Sequence, residues 1–288
     1  MAVALDDRPD DGQQHDGQQH DGQQHDGQQD DGLDERFAFG LDLVQEAGAL
    51  ALEHFRSLST LVVHRKGPRD VVSEADTEVE DLIRARLREA FPADGFLGEE
   101  TGSLEVDGST GTWVVDPIDG TQPFVSGLRS WCVSIAFVRA GRVELGFVNS
   151  PAAEELFVGR RGGAATLNGN PITPHAGSSL LDGLVYVGAS PRVTAEQVVP
   201  MVDRLLRAGG MFVRSGSGAL GLCDVACGRL LGYVEPHINT WDCLGAIAVL
   251  EAAGCRVDYG DAATELLHGG PIVAGPPAVF DQLVSLTG

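Results

Sequence analysis

Apolar residues recur along the chain at two spacings, and each spacing predicts one kind of element. Residues 37 to 57 and 74 to 91 carry apolar side chains three and four positions apart, which predicts amphipathic helices. Between residues 131 and 167 apolar and polar positions alternate, which predicts antiparallel strands joined by hairpins. Strands are also predicted near residues 95 to 99, 112 to 116, 183 to 189, 211 to 215, 231 to 235, 255 to 258 and 272 to 274, and further helices near residues 194 to 208, 218 to 228, 241 to 253 and 277 to 286.

This mixture of hairpins, helices and strand-helix alternation indicates an α+β or mixed α/β fold. The chain has 288 residues, of which 43% are hydrophobic, so it can bury a substantial core. A chain of this length permits one large domain or two intimate halves. We place the folded domain at residues 35 to 288, with halves at about residues 35 to 180 and 181 to 288.

Residues 113 to 121, Trp-Val-Val-Asp-Pro-Ile-Asp-Gly-Thr, form an apolar run that ends in two carboxylates. Proline cannot donate a hydrogen bond to a strand ladder, so Pro117 is predicted to end the strand and to leave Asp116 and Asp119 at the edge of the sheet. These carboxylates and the Ile118 carbonyl can face one point, and such oxygen ligands suit Mg²⁺. The alternative is a solvated turn, since Asp and Pro are common turn residues.

Two further acidic segments favour a functional interpretation. Glu99 and Glu100 follow a predicted strand, and Asp242 lies in the first turn of a predicted helix. Taken singly, adjacent glutamates suit a solvated loop, and an aspartate suits the positive end of a helix dipole. Three acidic segments that each adjoin a buried-looking element, far apart in sequence, indicate a shared site. Gly120 and Thr121 add backbone N–H groups and a hydroxyl that can meet an anion.

Gly98-Glu99-Glu100, then residues 116 to 121 (Asp-Pro-Ile-Asp-Gly-Thr), then Trp241-Asp242 resemble the ordered motifs of the inositol monophosphatase family, within the fructose-bisphosphatase and inositol-phosphatase superfamily. The resemblance extends from about Phe37 to the C-terminus. It implies a layered αβαβα sandwich with metal ions held between its two halves. It also implies hydrolysis of a phosphate monoester that depends on two or three Mg²⁺ ions, inhibition by Li⁺, and a homodimer.

The resemblance assigns metal ligation to five residues. Glu99 matches the glutamate that binds the first metal and helps to hold the nucleophilic water. Asp116 matches the carboxylate that bridges two metals, and the Ile118 carbonyl matches a ligand of the first. Asp119 and Asp242 match ligands of the second metal.

Four more residues match positions around the phosphate and the attacking water. Gly120 and Thr121 fall where the family binds phosphate through backbone amides, and the Thr121 hydroxyl matches the group that activates water. Asp76 resembles the acid that polarises this threonine. Lys66, the only lysine in the chain, lies near the family's lysine beside the metal and water site. Ser73 also matches a hydroxyl position of the family, but we favour a role as the N-cap of the following helix.

Substrate recognition is implied around the second half of the chain. Glu235 resembles the glutamate that accepts hydrogen bonds from substrate hydroxyls, which favours inositol or another sugar-like alcohol. Gly218, Ser190 and Asp119 match further substrate-lining positions, together with Gly120 and Thr121. The same catalytic residues serve phosphatases of histidinol phosphate, fructose bisphosphate and nucleotide 3′-phosphates, so these substrates are alternatives. A phosphopolyol-binding protein without turnover is the alternative that is not an enzyme.

One segment departs from the family pattern. After Thr121 the family usually continues with a variable residue, an asparagine and a phenylalanine, whereas this chain has Gln122-Pro123-Phe124. Pro123 removes a backbone donor and stiffens the turn. This substitution predicts a change in the shape of the phosphate loop.

The formal charge of −22 argues against nucleic acid or an anionic membrane as the partner and suits a cation-loaded site. Residues 1 to 36 hold eleven of the acids and only two arginines. Within them, Asp-Gly-Gln-Gln-His repeats at a period of five and contains no apolar residue, so residues 1 to 34 are predicted to be a disordered acidic tail.

The chain shows neither a signal peptide nor an apolar run of transmembrane length. Its five cysteines form an odd set without zinc-type spacing, which favours a reducing cytoplasm.

Overall fold

The computed structural model describes residues 32 to 67, 70 to 104, 110 to 259 and 269 to 288. Most of the predicted acidic tail, residues 1 to 31, therefore lies outside the described residues. The first helix begins at Leu33, two residues before the predicted start of the folded domain.

Helices in the described part of the chain match most of the predicted ones. They are α1 (Leu33–Arg56), α2 (Glu74–Ala90), α3 (Thr121–Val125), α4 (Ala195–Arg207), α5 (Gly218–Ala226), α6 (Leu244–Ala253) and α7 (Phe280–Val284).

An eight-stranded sheet occupies the first half of the chain, and a short antiparallel pair, β1 (Val63–Gly67) and β2 (Asp70–Ser73), precedes it. Neighbouring strands of the eight-stranded sheet are antiparallel except for β3 and β5, which run parallel to each other. The strands are β3 (Gly95–Gly98), β4 (Gly102–Leu104), β5 (Thr112–Asp119), β6 (Cys132–Arg139), β7 (Arg142–Ser150), β8 (Glu155–Arg160), β9 (Thr166–Leu167) and β10 (Asn170–Pro171), in the spatial order β10-β9-β8-β7-β6-β5-β3-β4.

A five-stranded sheet occupies the second half. Its first three strands run parallel, and β15 runs antiparallel to both of its neighbours. The strands are β11 (Leu184–Val187), β12 (Met211–Val213), β13 (Gly232–Ile238), β14 (Arg256–Asp258) and β15 (Gly270–Gly275), in the spatial order β12-β11-β13-β15-β14.

The two sheets and three helical layers form the predicted αβαβα sandwich. Helices α1 and α2 cover one face of the large sheet, and α5 and α6 lie between the two sheets. Helices α4 and α7 cover the outer face of the small sheet. The fold prediction is confirmed.

Burial on both faces of the sheet explains the apolar run in strand β5. Successive side chains of a strand point to opposite faces of the sheet. Trp113 and Val115 belong to the core shared with α1 and α2, whereas Val114 belongs to the core shared with α5 and α6. Because helices cover both faces of the sheet, every residue of β5 is buried.

Among the predicted element ends that were wrong, two bear on the acidic residues. Strand β5 continues through Pro117 to Asp119, because the pairing with β6 shifts register between Asp116 and Asp119 and so needs no hydrogen bond from the proline. Helix α6 begins at Leu244, so Asp242 precedes the helix instead of lying in its first turn. The pair β1 and β2 and the strand β4 were not predicted.

An ion pair fixes the start of α1 to the large sheet. Arg36 donates two hydrogen bonds to the Asp94 carboxylate at 2.8 and 2.7 Å, and the Trp113 indole N–H donates a third at 3.0 Å. The Asp94 side chain is only 1% exposed. These contacts tie α1, the turn before β3 and strand β5 together.

We expect Asp94→Ala to lower the free energy of unfolding by about 3 kcal/mol, because it removes the buried carboxylate that accepts bonds from a guanidinium and from an indole N–H. Urea denaturation measures the change. The matched control is Asp203→Ala, which removes the exposed pair with Arg207 on α4 and should change stability by less than about 0.5 kcal/mol. Equal effects of the two substitutions would contradict the role of Asp94.

Candidate active site

A cavity between the two sheets collects most of the predicted site residues. Its walls come from the ends of β3, β5, β11 and β13 and from the starts of α3 and α5. The predicted residues that line it are Glu99, Asp116, Ile118, Asp119, Gly120, Thr121, Ser190, Gly218, Glu235 and Asp242.

Three carboxylates converge at one end of this cavity. One oxygen from each of Glu99, Asp116 and Asp242 lies within 4.8 Å of the other two. Glu99 follows β3, Asp116 lies on the parallel neighbour β5, and Asp242 comes from the turn before α6. Carboxylate oxygens at such a spacing can share a hard divalent cation, and the Ile118 carbonyl lies in the same wall.

Hydrogen bonds fix two of the three acids in their turns. Asp116 accepts a bond from the Ile118 N–H at 3.0 Å, which holds the turn around Pro117. Asp242 accepts bonds from the Asn239 side chain at 3.1 Å and from its backbone N–H at 3.4 Å. The positions of these two acids are therefore set before any ligand binds.

The loop that carries Glu99 is held by hydrogen bonds to the buried carboxylate of Glu80. This glutamate is 1% exposed and accepts bonds from the backbone N–H groups of Glu100 and Thr101, at 2.8 and 2.9 Å. Glu80 was not identified from the sequence. Its signal was available: it lies four residues after Asp76 on α2, on the face that also buries Val79, so two acids occupy core positions of one amphipathic helix.

Asp119 lies in the cavity wall but outside the group formed by the other three acids. Its carboxylate accepts hydrogen bonds from the Ser217 hydroxyl and from the N–H groups of Gly218 and Ala219, the latter two at 3.2 and 2.7 Å. These groups form the start of α5, whose dipole favours a negative charge. Asp119 therefore connects the large sheet to the helix layer between the sheets.

Burial and mutual repulsion shift the titration of these acids. Burial raises the pKa of Asp116 well above its usual value, and the charges of Glu99, Asp119 and Asp242 raise it further. Burial also raises the pKa of Asp119 to about 7, against the opposing effect of its bonds from Ser217, Ala219 and Gly218. A divalent cation at this site would offset the repulsion and displace the protons.

Thr121 and Asp76 occupy the predicted relation to one another. The Thr121 hydroxyl lies 3.1 Å from Asp76 Oδ1 and 3.1 Å from the Ile118 carbonyl oxygen. Asp76 is fully buried behind Thr121 and also accepts bonds from the N–H and hydroxyl of Ser73, at 2.9 and 2.6 Å. Ser73 is the N-cap of α2, as the sequence predicted.

Pro123 is compatible with the helix start that follows Gly120. Gly120 adopts φ 93°, a left-handed conformation that favours glycine, and α3 begins at Thr121. Pro123 is the third residue of this helix, where a backbone N–H has no partner within the helix in any case. The first intrahelical bond runs from Phe124 N–H to the Gly120 carbonyl at 2.9 Å. The missing donor of Pro123 therefore removes no helical bond.

Glu235 lies on β13 in the wall of the same cavity and is 5% exposed. Burial raises its pKa to about 8, and the Tyr233 hydroxyl, which donates to Glu235 Oε2, opposes that rise. Ser190 and Gly218 lie in the adjoining wall. Tyr233 was not identified from the sequence, although residues two apart on one strand share a face.

Two cationic side chains, those of Arg192 and Arg214, also line the cavity. Arg192 and Arg214 are both exposed, and Arg214 donates a bond to the Ala189 carbonyl at 2.8 Å. Lys66 lies in β1, but its side chain falls outside the described residues.

Known proteins match the chain over nearly all of this structure. The sequence profile of the inositol monophosphatase family matches residues 33 to 287. An inositol-1-monophosphatase of Mesorhizobium japonicum is 35% identical over 83% of this chain and 91% of its own length. The Nus factor SuhB of Haemophilus influenzae is 32% identical over 84% of this chain and 91% of its own length.

A solved structure shows the same fold. The crystal structure of the extragenic suppressor protein suhB from Bartonella henselae superposes with a TM-score of 0.82 at 28% identity, over 88% of this chain and 98% of that one. The chain belongs to the inositol monophosphatase family, whose members are metal-dependent phosphatases of small phosphate monoesters. None of the helices in the described segments has the length and apolar character needed to cross a membrane.

The pKa of Asp119 predicts how the metal-free protein responds to pH. Between its ordinary pKa of 3.8 and its folded pKa of about 7, the folded protein keeps a proton that the unfolded chain has lost. The contribution of Asp119 to stability therefore falls as pH rises through this range. We compare the free energy of unfolding of the wild type with that of Asp119→Asn in EDTA. The difference, wild type minus variant, should decrease from pH 4 to pH 7.

Urea denaturation at several pH values measures this difference, since the asparagine variant lacks the titrating group. Addition of Mg²⁺ at pH 7 should stabilise the wild type more than Asp119→Asn. A difference between the two proteins that stays constant with pH would show that the pKa of Asp119 is not raised.

Proposed function

We propose that the protein is a Mg²⁺-dependent phosphoric monoester hydrolase that acts on inositol monophosphate or a similar polyol phosphate. The observation that carries this proposal is the convergence of Glu99, Asp116 and Asp242 within 4.8 Å of one another. With the Ile118 carbonyl and Asp119, these residues supply the all-oxygen donor set that Mg²⁺ prefers. The relatives named inositol-1-monophosphatase support the reaction class.

Metal ions bound here would neutralise phosphate charge and lower the pKa of a bound water. The residues of the chain then have distinct tasks. Glu99 and Thr121 lie in the same cavity and can both orient that water. Asp76 fixes the Thr121 hydroxyl from behind, at 3.1 Å, so that the hydroxyl keeps one direction during the reaction.

The phosphate is placed by the start of α3. Gly120 and Thr121 expose backbone N–H groups there, since the first N–H groups of a helix have no partner within it. Lys66 is proposed to lie close to the same site, from its position in the sequence motif. The catalytic group of residues is then Glu99, Thr121, Asp76 and Lys66.

The leaving alcohol is proposed to lie against Glu235. A carboxylate accepts hydrogen bonds from hydroxyls and has none to donate when ionised, so it suits a polyol. Gly218 and Ser190 complete the wall on this side. Since the folded pKa of Glu235 is about 8, its ionised fraction, and with it polyol binding, should increase as pH rises towards 8 in the metal-free protein.

We expect Asp116→Asn to lower phosphate release from inositol 1-phosphate by more than about a hundredfold, because loss of partners outside a metal's ligand shell already costs about 10- to 100-fold. Phosphate release with and without Mg²⁺ measures this, on a panel that includes histidinol phosphate, fructose 1,6-bisphosphate and a nucleotide 3′-phosphate. Li⁺ should inhibit the wild type.

The control for this assay is Asp203→Asn, which changes an exposed acid on α4. Normal Mg²⁺-dependent turnover by Asp116→Asn would refute the metal assignment. Release from no member of the panel would favour a phosphopolyol-binding protein, and a preference for histidinol phosphate would change the substrate.

We further propose that the protein is a cytoplasmic homodimer. All five cysteines are free, which supports a reducing compartment. Strand β12 is an edge strand of the small sheet, and its Met211 and Phe212 are 62% and 47% exposed. Leu181, 68% exposed, adds to this apolar surface, which a second copy of the chain would cover.

Sedimentation velocity should give about twice the chain mass of 30.3 kDa. We expect Phe212→Asp to shift the protein towards the monomer, because it places a charge in the proposed contact. Val284→Asp, at another exposed apolar position, is the matched control and should leave the mass unchanged. A wild type that sediments as a monomer at micromolar concentration would refute the dimer.

A further inference from the structure

A buried tyrosine contacts the carboxylate that faces the substrate's alcohol. Tyr233 and Glu235 lie two residues apart on β13, so their side chains share one face of the sheet. The Tyr233 hydroxyl donates a hydrogen bond to Glu235 Oε2. Tyr233 is fully buried and Glu235 is 5% exposed, so bulk water does not compete strongly for this bond.

The ring of Tyr233 is itself held in place. It stacks on the ring of Tyr186 from β11, with ring centroids 4.8 Å apart and an interplanar angle of 9°. The Tyr186 hydroxyl accepts bonds from the N–H groups of Ser215 and Gly216, at 3.2 and 3.0 Å, and donates to the Ser217 carbonyl at 3.0 Å. The Tyr233 ring therefore has a fixed neighbour and a fixed direction.

Gly188 bounds the other side of the same carboxylate. A Cβ at this position would lie 2.1 Å from Glu235 Oε2 and 2.4 Å from its Cδ. The Gly188 backbone is fixed by a bond from its N–H to the Val234 carbonyl at 2.9 Å. Glu235 is thus confined between the Tyr233 hydroxyl and the backbone of Gly188.

We propose that Tyr233 is a positioning residue for substrate selection: its hydroxyl fixes Oε2 of Glu235 and so presents Oε1 to a hydroxyl of a polyol phosphate. This inference rests on the proposed function and extends it, because it assigns recognition of the alcohol to a pair of residues. Neither residue belongs to the Glu99, Asp116 and Asp242 group. Loss of the tyrosine hydroxyl therefore weakens binding of the alcohol and leaves the metal ligands unchanged.

The test is Tyr233→Phe, which keeps the ring and its stacking on Tyr186. Loss of a buried hydrogen bond changes affinity by about tenfold. We expect KM for inositol 1-phosphate to rise about tenfold. For p-nitrophenyl phosphate, whose leaving group carries no further hydroxyl, we expect kcat/KM to stay within about twofold of the wild type.

Two further variants separate positioning from a general structural effect. Gly188→Ala moves the same carboxylate from its other side and should raise KM for inositol 1-phosphate in the same way. Tyr259→Phe removes another buried tyrosine hydroxyl and should leave both substrates unchanged. Equal losses on both substrates in Tyr233→Phe, or no change on either, would overturn the proposal.

Calorimetry separates this inference from the proposed hydrolysis. With Ca²⁺ in place of Mg²⁺, the Kd of inositol 1-phosphate should rise about tenfold in Tyr233→Phe. That rise supports the role of Tyr233 even if the wild type releases no phosphate, which would refute only the proposed hydrolysis. The role of Tyr233 would be overturned if the wild type hydrolyses inositol 1-phosphate and Tyr233→Phe matches it in both assays. It would also be overturned if the wild type does not bind inositol 1-phosphate.

Discussion

The centre of this protein holds several carboxylates close together and away from bulk water. Their mutual repulsion is a constraint that the surrounding structure must accommodate. Glu99, Asp116 and Asp242 bring oxygens within 4.8 Å of one another, and Asp119 lies beside them. Without a cation the protein can keep them there only by adding protons or by fixing their loops. The raised pKa values of Asp116 and Asp119 show the first solution, and the bonds from Ile118, Asn239 and the start of α5 show the second.

The layered fold provides what this site needs, because the acids come from separate layers. Parallel strands β3 and β5 end at the same edge of the large sheet, which places Glu99 beside Asp116. Glu235 comes from strand β13 of the small sheet, and Asp242 comes from the turn between β13 and α6. A single sheet with one helical layer would supply acids from one side only, so the cavity could not enclose a cation and a substrate between two walls.

Much of the layered fold and of the acidic site was predictable from the sequence, because burial restricts where apolar and acidic residues can lie. Apolar runs such as residues 112 to 115 must be covered on both faces, which indicates a layered fold, and acids directly after such runs lie at sheet edges. Helix and strand positions in the second half followed from the same patterns. The motif resemblance then joined segments more than 100 residues apart, which spacing alone could not do.

The parts that the sequence did not reveal depend on contacts between distant segments. The position of Glu80 on the buried face of α2 was readable, but its bonds to Glu100 and Thr101 join segments about 20 residues apart and no local pattern shows them. The continuation of β5 through Pro117 depends on a register shift against β6, which no local pattern encodes. Pro123 suggested an altered loop, yet its place in the first turn of α3 makes it compatible with an ordinary helix start.

The bond between Asp119 and Ser217 joins residues 98 positions apart and has a consequence for how the protein matures. Neither sheet can form the cavity alone, so a nascent chain that has completed only the large sheet carries its cluster of acids half-built and exposed to water. Asp242 adds its charge to this cluster only when the second sheet docks. Docking of the two sheets is then the step at which the repulsion within the cluster becomes greatest, so the contacts between the sheets have to offset it.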